Sequence, residues 1–103
     1  MPGAARGAGR DSVQSFDGTG KKCAVPMRTS TMACSTNVIV NGIGAVRIGD
    51  RVAPHPRRGC SLDTSSLSRA SMKVLINGRG AGRMGDAYGP NVIISGSSNV
   101  IIG

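Results

Sequence analysis

The feature that most constrains this chain is an internal repeat. Residues 37–50 read NVIVNGIGAVRIGD and residues 73–86 read KVLINGRGAGRMGD. Both segments contain Asn-Gly-x-Gly-Ala-x-Arg-x-Gly-Asp, and matching positions are always 36 residues apart, as 77 − 41 = 36 shows, so neither copy has an internal insertion. A fixed internal period indicates a fold built from equivalent units. The fold must therefore hold at least two copies of one local structure.

Each copy predicts a β-hairpin. An apolar run, residues 38–40 or 74–76, leads into Asn-Gly, the dipeptide that best tolerates positive φ at both centres of a type I′ turn. The returning strand is predicted at 45–48 or 81–84, before a Gly-Asp pair where the chain leaves the sheet. With 16 Gly, one Phe, one Tyr and no Trp in 103 residues, the chain cannot build a thick aromatic core. The composition favours a small all-β fold.

A third copy is split between the two ends of the chain. Residues 99–103, Asn-Val-Ile-Ile-Gly, repeat the outgoing strand, and residues 3–6, Gly-Ala-Ala-Arg, followed by Asp11, repeat the returning half. We therefore predict that the C-terminal strand pairs with the N-terminal segment, which gives three hairpins about a pseudo-threefold axis in a single domain spanning residues 1–103. Such closure removes exposed sheet edges. In the connectors, a short strand is predicted within 91–96, with weaker signals at 24–27 and 66–68.

These spaced motifs resemble the proline-alanine-alanine-arginine (PAAR) repeat proteins. The resemblance rests on Gly-Ala-Ala-Arg near the N-terminus, on the two internal Asn-Gly-x-Gly-Ala-x-Arg-x-Gly-Asp units and on the terminal Asn-Val-Ile-Ile-Gly. It spans nearly the whole chain. The chain departs from the motif in that Gly3, Gly44 and Gly80 occupy the proline position, while Val46 and Gly82 replace the second alanine.

The resemblance implies a conical, pseudo-threefold β-domain. Such a domain caps and sharpens the blunt end of a trimeric β-helical spike, one chain per trimer, in type VI secretion systems or contractile phage tails. It would be made in the bacterial cytoplasm, assembled at the tip of the apparatus or virion, and would contact the host outer membrane transiently during piercing. The repeats leave no extended flanking segment for a toxin, so we expect a bare tip rather than an effector fusion.

The hairpin strands and turns are the predicted spike-binding residues. A domain with three near-equal hairpins can contact all three chains of a trimer at once. Alternation along a strand sends about half of its side chains into the domain's own core, so a core role is the alternative for each apolar member. The predicted set is Val38, Val40, Asn41, Ile43, Val74, Ile76, Asn77, Val100 and Ile102.

A metal site is predicted where the connectors converge. Cys23, His55 and Cys60 each follow the Asp of a repeat, and Cys34 is a fourth candidate ligand. Three Cys and one His form an accepted structural zinc set, and the PAAR family implies zinc near the tip, usually with more His; iron is less favoured. A narrow apex also has little interior, and a metal cross-link compensates for that. The alternative is a solvated His55 and small buried cysteines, because no Cys-x-x-Cys pair is present.

The charge leaves a rival function. The formal net charge of +8 suits a small nucleic-acid-binding β-protein, but the basic residues are scattered, and there are neither aromatic stacking platforms nor a recognition helix. We therefore expect no nucleic-acid partner. An enzyme is not expected either, because the chain has no Glu, its single His lies between prolines, and Asp11, Asp50 and Asp86 recur at one repeat position. These aspartates are predicted to pair with Arg6, Arg47 and Arg83, unless those arginines are solvated.

Overall fold

A computed structural model of the chain describes residues 2–14, 28–53, 55–56, 62–63, 65–89 and 91–103. Within these ranges the structure is all β, as predicted, and has no helix. The strands are short because each repeat consists mainly of turns and of residues that contact neighbouring repeats. They are β1 (Ser12–Gln14), β2 (Arg28–Ser30), β3 (Ile39–Val40), β4 (Ile43–Gly44), β5 (His55–Pro56), β6 (Leu62–Asp63), β7 (Leu75–Ile76), β8 (Arg79–Gly80), β9 (Ala87–Tyr88) and β10 (Asn91–Ile93).

The strands pair in four antiparallel groups. One sheet has the order β2-β1-β10-β9, so that strands from opposite parts of the chain, β1 and β10, lie side by side. Three two-stranded ribbons, β3-β4, β5-β6 and β7-β8, complete the set. β10 confirms the strand predicted within 91–96, and Ser66 forms an isolated bridge with Arg51. The weak strand signal at 24–27 lies outside the described residues.

The two Asn-Gly turns form as the sequence predicts. Asn41 and Gly42 have φ of 53° and 82°, and Asn77 and Gly78 have φ of 54° and 77°. Positive φ at both central positions is the signature of a type I′ turn, whose twist matches that of the flanking strands. These turns join β3 to β4 and β7 to β8.

The returning strands differ from the prediction. β4 and β8 end at Gly44 and Gly80. The motif alanines still donate to the outgoing strand of their own hairpin, Ala45 to Val38 and Ala81 to Val74 (both 2.9 Å), but the two residues that follow each alanine pair with a neighbouring repeat instead of continuing the hairpin. Each arginine of the motif forms a bridge with the motif alanine of the neighbouring copy. The three bridges are Arg6 with Ala45, Arg47 with Ala81, and Arg83 with Ala4.

A closed ring of backbone hydrogen bonds joins the three copies. The amide of Ala5 donates to the oxygen of Gly82 (2.9 Å), Gly82 donates to Val46 (2.7 Å), and Val46 donates to Ala5 (3.1 Å). Each residue is the position between the motif alanine and the motif arginine. Because the cycle returns to its start after three bonds, the copies are related by a pseudo-threefold axis. We call these three residues the central ring.

The split copy completes this ring. Gly3 bridges Ile101, as Gly44 pairs with Ile39 in the second copy. The amide of Ala4 donates to the oxygen of Val100 (2.8 Å), which matches the bond from Ala45 to Val38 (2.9 Å). The predicted pairing of the C-terminal strand with the N-terminal segment is therefore present, and the short axes of the body, 23 and 22 Å against 39 Å, agree with threefold geometry.

Two apolar clusters lie on opposite sides of the central ring, because successive residues of an extended chain point to opposite faces. Towards the hairpins, the motif alanines pack with the last residue of each outgoing strand. Towards the connectors, Ala5 and Val46 pack with residues that follow the motif Asp. The hairpin cluster is Ala4, Val40, Ala45, Ile76, Ala81 and Ile102, and the connector cluster is Ala5, Val13, Val46, Val52, Leu67, Tyr88 and Ile93.

The glycines at the motif's proline position have a steric cause. A Cβ atom built on Gly3, Gly44 or Gly80 would lie 2.1, 2.0 or 2.5 Å from a main-chain carbonyl oxygen, that of Ser97, Ser35 or Ser71. All three distances are far below van der Waals contact. In this chain the position therefore accepts glycine and neither proline nor any other residue that carries a Cβ, without movement of the backbone.

Candidate functional site: the three-hairpin surface

In each copy, an arginine–aspartate pair stabilises the chain where it leaves the central ring. Arg47 donates from Nε and Nη2 to Asp50 (2.9 and 3.0 Å), and its amide donates to the same carboxylate (2.8 Å). The pairs Arg6–Asp11 and Arg83–Asp86 repeat this geometry. The predicted pairing is present in all three copies. The aspartates are 1 to 4 % exposed, so the arginines neutralise buried carboxylates rather than solvated ones.

The same pairs shift the acidity of these groups. Burial opposes ionisation of Asp11, but hydrogen bonds from the Arg6 side chain and amide and from Ser95 outweigh it and lower the pKa of Asp11. Hydrogen bonds to the aspartates raise the pKa of Arg6, Arg47 and Arg83. The Arg6–Asp11 pair is therefore ionised at neutral pH.

Polar side chains fasten neighbouring copies together. Arg6 Nη1 donates to Asn41 Oδ1 (3.3 Å) and Arg47 Nη1 donates to Asn77 Oδ1 (3.1 Å), so each arginine reaches the turn of the next copy. Within each copy, a serine hydroxyl accepts a hydrogen bond from the amide of the valine three residues later, at the start of the outgoing segment. These bonds run from Val38 to Ser35 (3.0 Å), from Val74 to Ser71 (2.9 Å) and from Val100 to Ser97 (3.0 Å).

An apolar residue projects into solvent from each outgoing strand. Ile39 is 54 % exposed, Leu75 61 % and Ile101 48 %. They occupy one repeat position, and the preceding Val74 and Val100 are also exposed. We call Ile39, Leu75 and Ile101 the apolar triad. Side chains of this size are costly to leave in water when they recur in this way, and such repetition marks a contact surface.

The predicted spike-binding residues fall into two groups. Val40, Ile76 and Ile102 are buried in the hairpin cluster, which leaves them little surface for a partner. The other members are exposed or half-buried on the hairpins; they are Val38, Asn41, Ile43, Val74, Asn77 and Val100. The apolar triad is absent from the predicted set. Alternation along the strand could have indicated it, because each of its members precedes a residue that is buried in the hairpin cluster and therefore faces the opposite way.

The candidate metal ligands are not brought together in the described part of the chain. Cys23 and Cys60 lie outside it, and of His55 only the backbone, in β5, is described. Within the described ranges, no three His, Cys or acidic side chains cluster in a way that could hold a metal ion. Cys34 packs between copies, where a Cβ on Gly7 or Gly44 would lie 2.7 Å from its Sγ. This packing gives Cys34 a structural role, and the zinc site stays a prediction.

Tyr88 occupies the connector cluster and carries a polar group into it. The residue is 0 % exposed, and its hydroxyl finds no hydrogen-bond partner among the described residues. Burial, together with the negative charges of Asp50 and Asp11, raises the pKa of the phenol well above its usual range. The Tyr88 hydroxyl therefore stays protonated at ordinary pH, and the residue packs as a neutral side chain.

Comparison with protein families agrees with this architecture. The PAAR motif model matches residues 28–90, more than half of the chain, and includes both intact repeats. No curated protein sequence matches the chain. The chain thus belongs to the class of small β-proteins with a threefold repeat that form spike tips. Its family is the PAAR-motif family of structural proteins, associated with type VI secretion systems and phage tails. Within the described residues, no helix is long and apolar enough to cross a bilayer.

Proposed function

We propose that this protein caps one trimeric β-helical spike, with one chain per trimer, and gives the spike a sharpened end for membrane piercing. It would be made in the bacterial cytoplasm and carried at the tip of a contractile phage tail or a type VI apparatus. Its contact with the host outer membrane would be transient. No enzymatic step is proposed, and no nucleic acid is expected as a partner.

The observation that carries this proposal is the apolar triad on a threefold backbone. A symmetric trimer presents the same surface three times, and a single chain can match it only if its own contact residues repeat about an axis. Ile39, Leu75 and Ile101 do so, and they project from a backbone closed by the central ring. Burial of three such side chains against a partner stabilises a complex by roughly 1.5 to 3 kcal/mol each at most.

The exposed valines and the turns extend this contact. Val74 and Val100 are 38 and 37 % exposed, and Asn41 and Asn77 lie at the turn of each intact hairpin. The arginines already bind the side-chain oxygens of both asparagines, so these residues contribute shape more than free donors. Val40, Ile76 and Ile102 support the surface from within. The proposed contact is therefore centred on the apolar triad.

Mixing experiments test the proposal. The protein is mixed with purified β-helical spike trimers from a contractile phage tail and from a type VI system, and the molar mass is measured by light scattering. We expect one 10.4 kDa chain per trimer. Single changes I39D, L75D and I101D should each weaken binding about ten-fold or more, and the triple variant should not bind. Met32→Asp is the matched control, because Met32 is also 48 % exposed but lies outside the three hairpins.

A parallel titration distinguishes the spike-tip function from the alternative, nucleic-acid binding. A duplex DNA and a single-stranded RNA are titrated in parallel over a salt series. Tight nucleic-acid binding without affinity for either spike would overturn the spike-tip proposal, as would a triple variant that still binds the spike like the unchanged protein. Weak binding that disappears at physiological salt is expected from the net charge alone.

A further inference from the structure

The three seams between neighbouring copies are not alike. At two of them a turn asparagine binds the first residue of a neighbouring repeat copy: Asn41 Nδ2 donates to Asn99 Oδ1 (2.9 Å) and Asn77 Nδ2 donates to Asn37 Oδ1 (3.0 Å). At the third seam, Gly103 occupies the turn position and Lys73 the first position of the copy. Neither residue can reproduce the amide–amide contact, so this seam lacks the side chains that fill the other two.

A cleft opens at the third seam. Its volume is about 380 Å³, and it is lined by Arg69, Ala70, Met72, Lys73, Arg83 and Gly103. The equivalents of Arg69 are Ala33 and Ser95, and the equivalents of Lys73 are Asn37 and Asn99. At these two positions, positive charge is therefore present only at the third seam.

Two of the three cations are available to a ligand. Arg83 is not available to a ligand, because its Nε and Nη2 donate to Asp86 (both 2.9 Å) and its Nη1 donates to the Gly103 oxygen (3.2 Å). The Arg69 side chain is 73 % exposed and lies 3.9 Å from Asp86, too far for a close ion pair. Lys73 is exposed, and no carboxylate in the described part of the chain pairs with it. The positive charges of Arg69, Lys73 and Arg83 outnumber the negative charges of Asp86 and of the terminal carboxylate at Gly103, so the cleft carries excess positive charge.

Part of the cleft wall is apolar and adjoins exposed apolar side chains of the copy at residues 73–86. Met72 is 95 % exposed, the highest exposure of any large apolar side chain in the described residues. Its flexible thioether adapts to differently shaped apolar neighbours. Lys73 leads directly into Val74 and Leu75, which are 38 and 61 % exposed. A partner that covers the apolar triad therefore reaches this cleft without a gap.

We propose that the cleft binds the carboxylate of an acidic side chain that lies beside an apolar residue at the end of the spike protein. Arg69 and Lys73 would bind the carboxylate, and Met72 would pack on the apolar neighbour. This proposal rests on the proposed function and adds the chemistry of the partner. Of the three identical spike chains, one uses its carboxylate at the cleft, while the other two meet Asn37 and Asn99.

A peptide titration tests the cleft directly. The probe is the capped peptide Gly-Glu-Leu-Glu-Gly, compared with its Gln analogue, and binding to the full chain is followed by nuclear magnetic resonance at low salt. We expect saturable shifts of the amide signals of residues 69–73 and 103, and about ten-fold weaker binding of the Gln analogue. K73N and R69S should each weaken binding about five-fold. Both substitutions install a residue found at an equivalent position, so the fold should persist. Arg51→Ser, at an exposed arginine outside the cleft, is the control and should bind like the unchanged protein.

The outcomes separate the two proposals. The proposal that the cleft binds a carboxylate is overturned if both peptides bind equally well. It is also overturned if K73N and R69S bind the Glu peptide as tightly as the unchanged protein. If these two variants bind the spike trimer as tightly as the unchanged protein while the triple apolar variant does not, the spike-tip function stands and the cleft proposal fails. Peptide binding by a protein that binds no spike overturns the proposed function and the identity of the occupant together.

Discussion

The central ring is nearly symmetric, whereas the three seams between the copies differ from one another. In the ring, three backbone bonds of 2.7 to 3.1 Å repeat without a break, and the split copy takes part as fully as the intact ones. In the seams, side chains differ from copy to copy, with asparagine pairs at two seams and a cleft at the third. The backbone thus carries the symmetry, and side chains can diverge as long as the backbone contacts survive. Side-chain differences between the copies can therefore create a feature, such as the cleft, at one seam of a threefold backbone.

The strongest test of this comparison removes a carboxylate from the split copy. Asp11→Asn leaves buried Arg6 without its counter-charge, and we expect a loss of about 3 to 5 kcal/mol in the free energy of unfolding, measured by urea denaturation. Asp86→Asn in an intact copy is the matched variant, because Asp86 also has one arginine, Arg83, at close ion-pair distance, and it should cost about the same. A much smaller cost for Asp11→Asn would mean that the split copy is not an equal member of the ring.

The Asp11 pair also sets a dependence on pH. Its pKa is lowered in the folded state, so its contribution to stability is present above the unfolded pKa of about 4 and is lost as the pH falls through the folded value. Stability measured between pH 5 and 2 should fall more steeply in the unchanged protein than in Asp11→Asn. Parallel acid limbs for the two proteins would contradict this account.

A smaller loss is expected from a methyl group at the motif's proline position. In Gly44→Ala the new Cβ would lie 2.0 Å from the Ser35 oxygen, and we expect a cost of about 3 kcal/mol because main chain must move. The control is Gly42→Ala, where nothing lies within 4 Å and only the positive φ of 82° is strained, at about 1 kcal/mol. Thermal denaturation of both variants makes the comparison. Equal costs would show that the steric reason is incorrect.

The central ring should also show compensation between copies. Its residues are Ala5, Val46 and Gly82, and a Cβ on Gly82 would lie 3.0 Å from Leu67 Cδ2 and 3.1 Å from Val46 Cγ1. Gly82→Ala alone should destabilise by about 1 to 2 kcal/mol through crowding. In a Val46→Ala background, which itself loses buried apolar area, the added cost of Gly82→Ala should be about 1 kcal/mol smaller. A double-mutant cycle from urea denaturation measures the coupling. Additive effects would mean that the two positions do not share one space.

The smallest predicted effect concerns the single tyrosine. Its buried hydroxyl has no partner among the described residues, so Tyr88→Phe should be neutral or stabilise by about 1 kcal/mol. Because the pKa of Tyr88 is raised on folding, its contribution to stability is present below the unfolded value of about 10 and is lost above it. Ultraviolet titration should show phenolate only as the protein unfolds at alkaline pH. Phenolate formation in the folded protein near pH 10 would contradict the burial.

Much of the fold could be predicted because its causes are local. Asn41-Gly42 and Asn77-Gly78 encode their turns through backbone preference, and a constant offset between copies reveals the repeat. The path of the returning strands could not be read in this way, because it depends on contacts between copies that are far apart in sequence. The same holds for the crowding of Val46 against Gly82 and for the cleft at the third seam. Both arise only when the ring closes.

Amide hydrogen exchange at the central ring tests the main claim most directly. If the split copy closes the ring as an equal partner, the amides of Ala5, Val46 and Gly82 should exchange only through global unfolding, with one shared free energy of opening. If instead Ala5 exchanges through local opening, well below the free energy shared by Val46 and Gly82, the ends of the chain do not form a third repeat. The threefold surface proposed for the spike would then lose its basis.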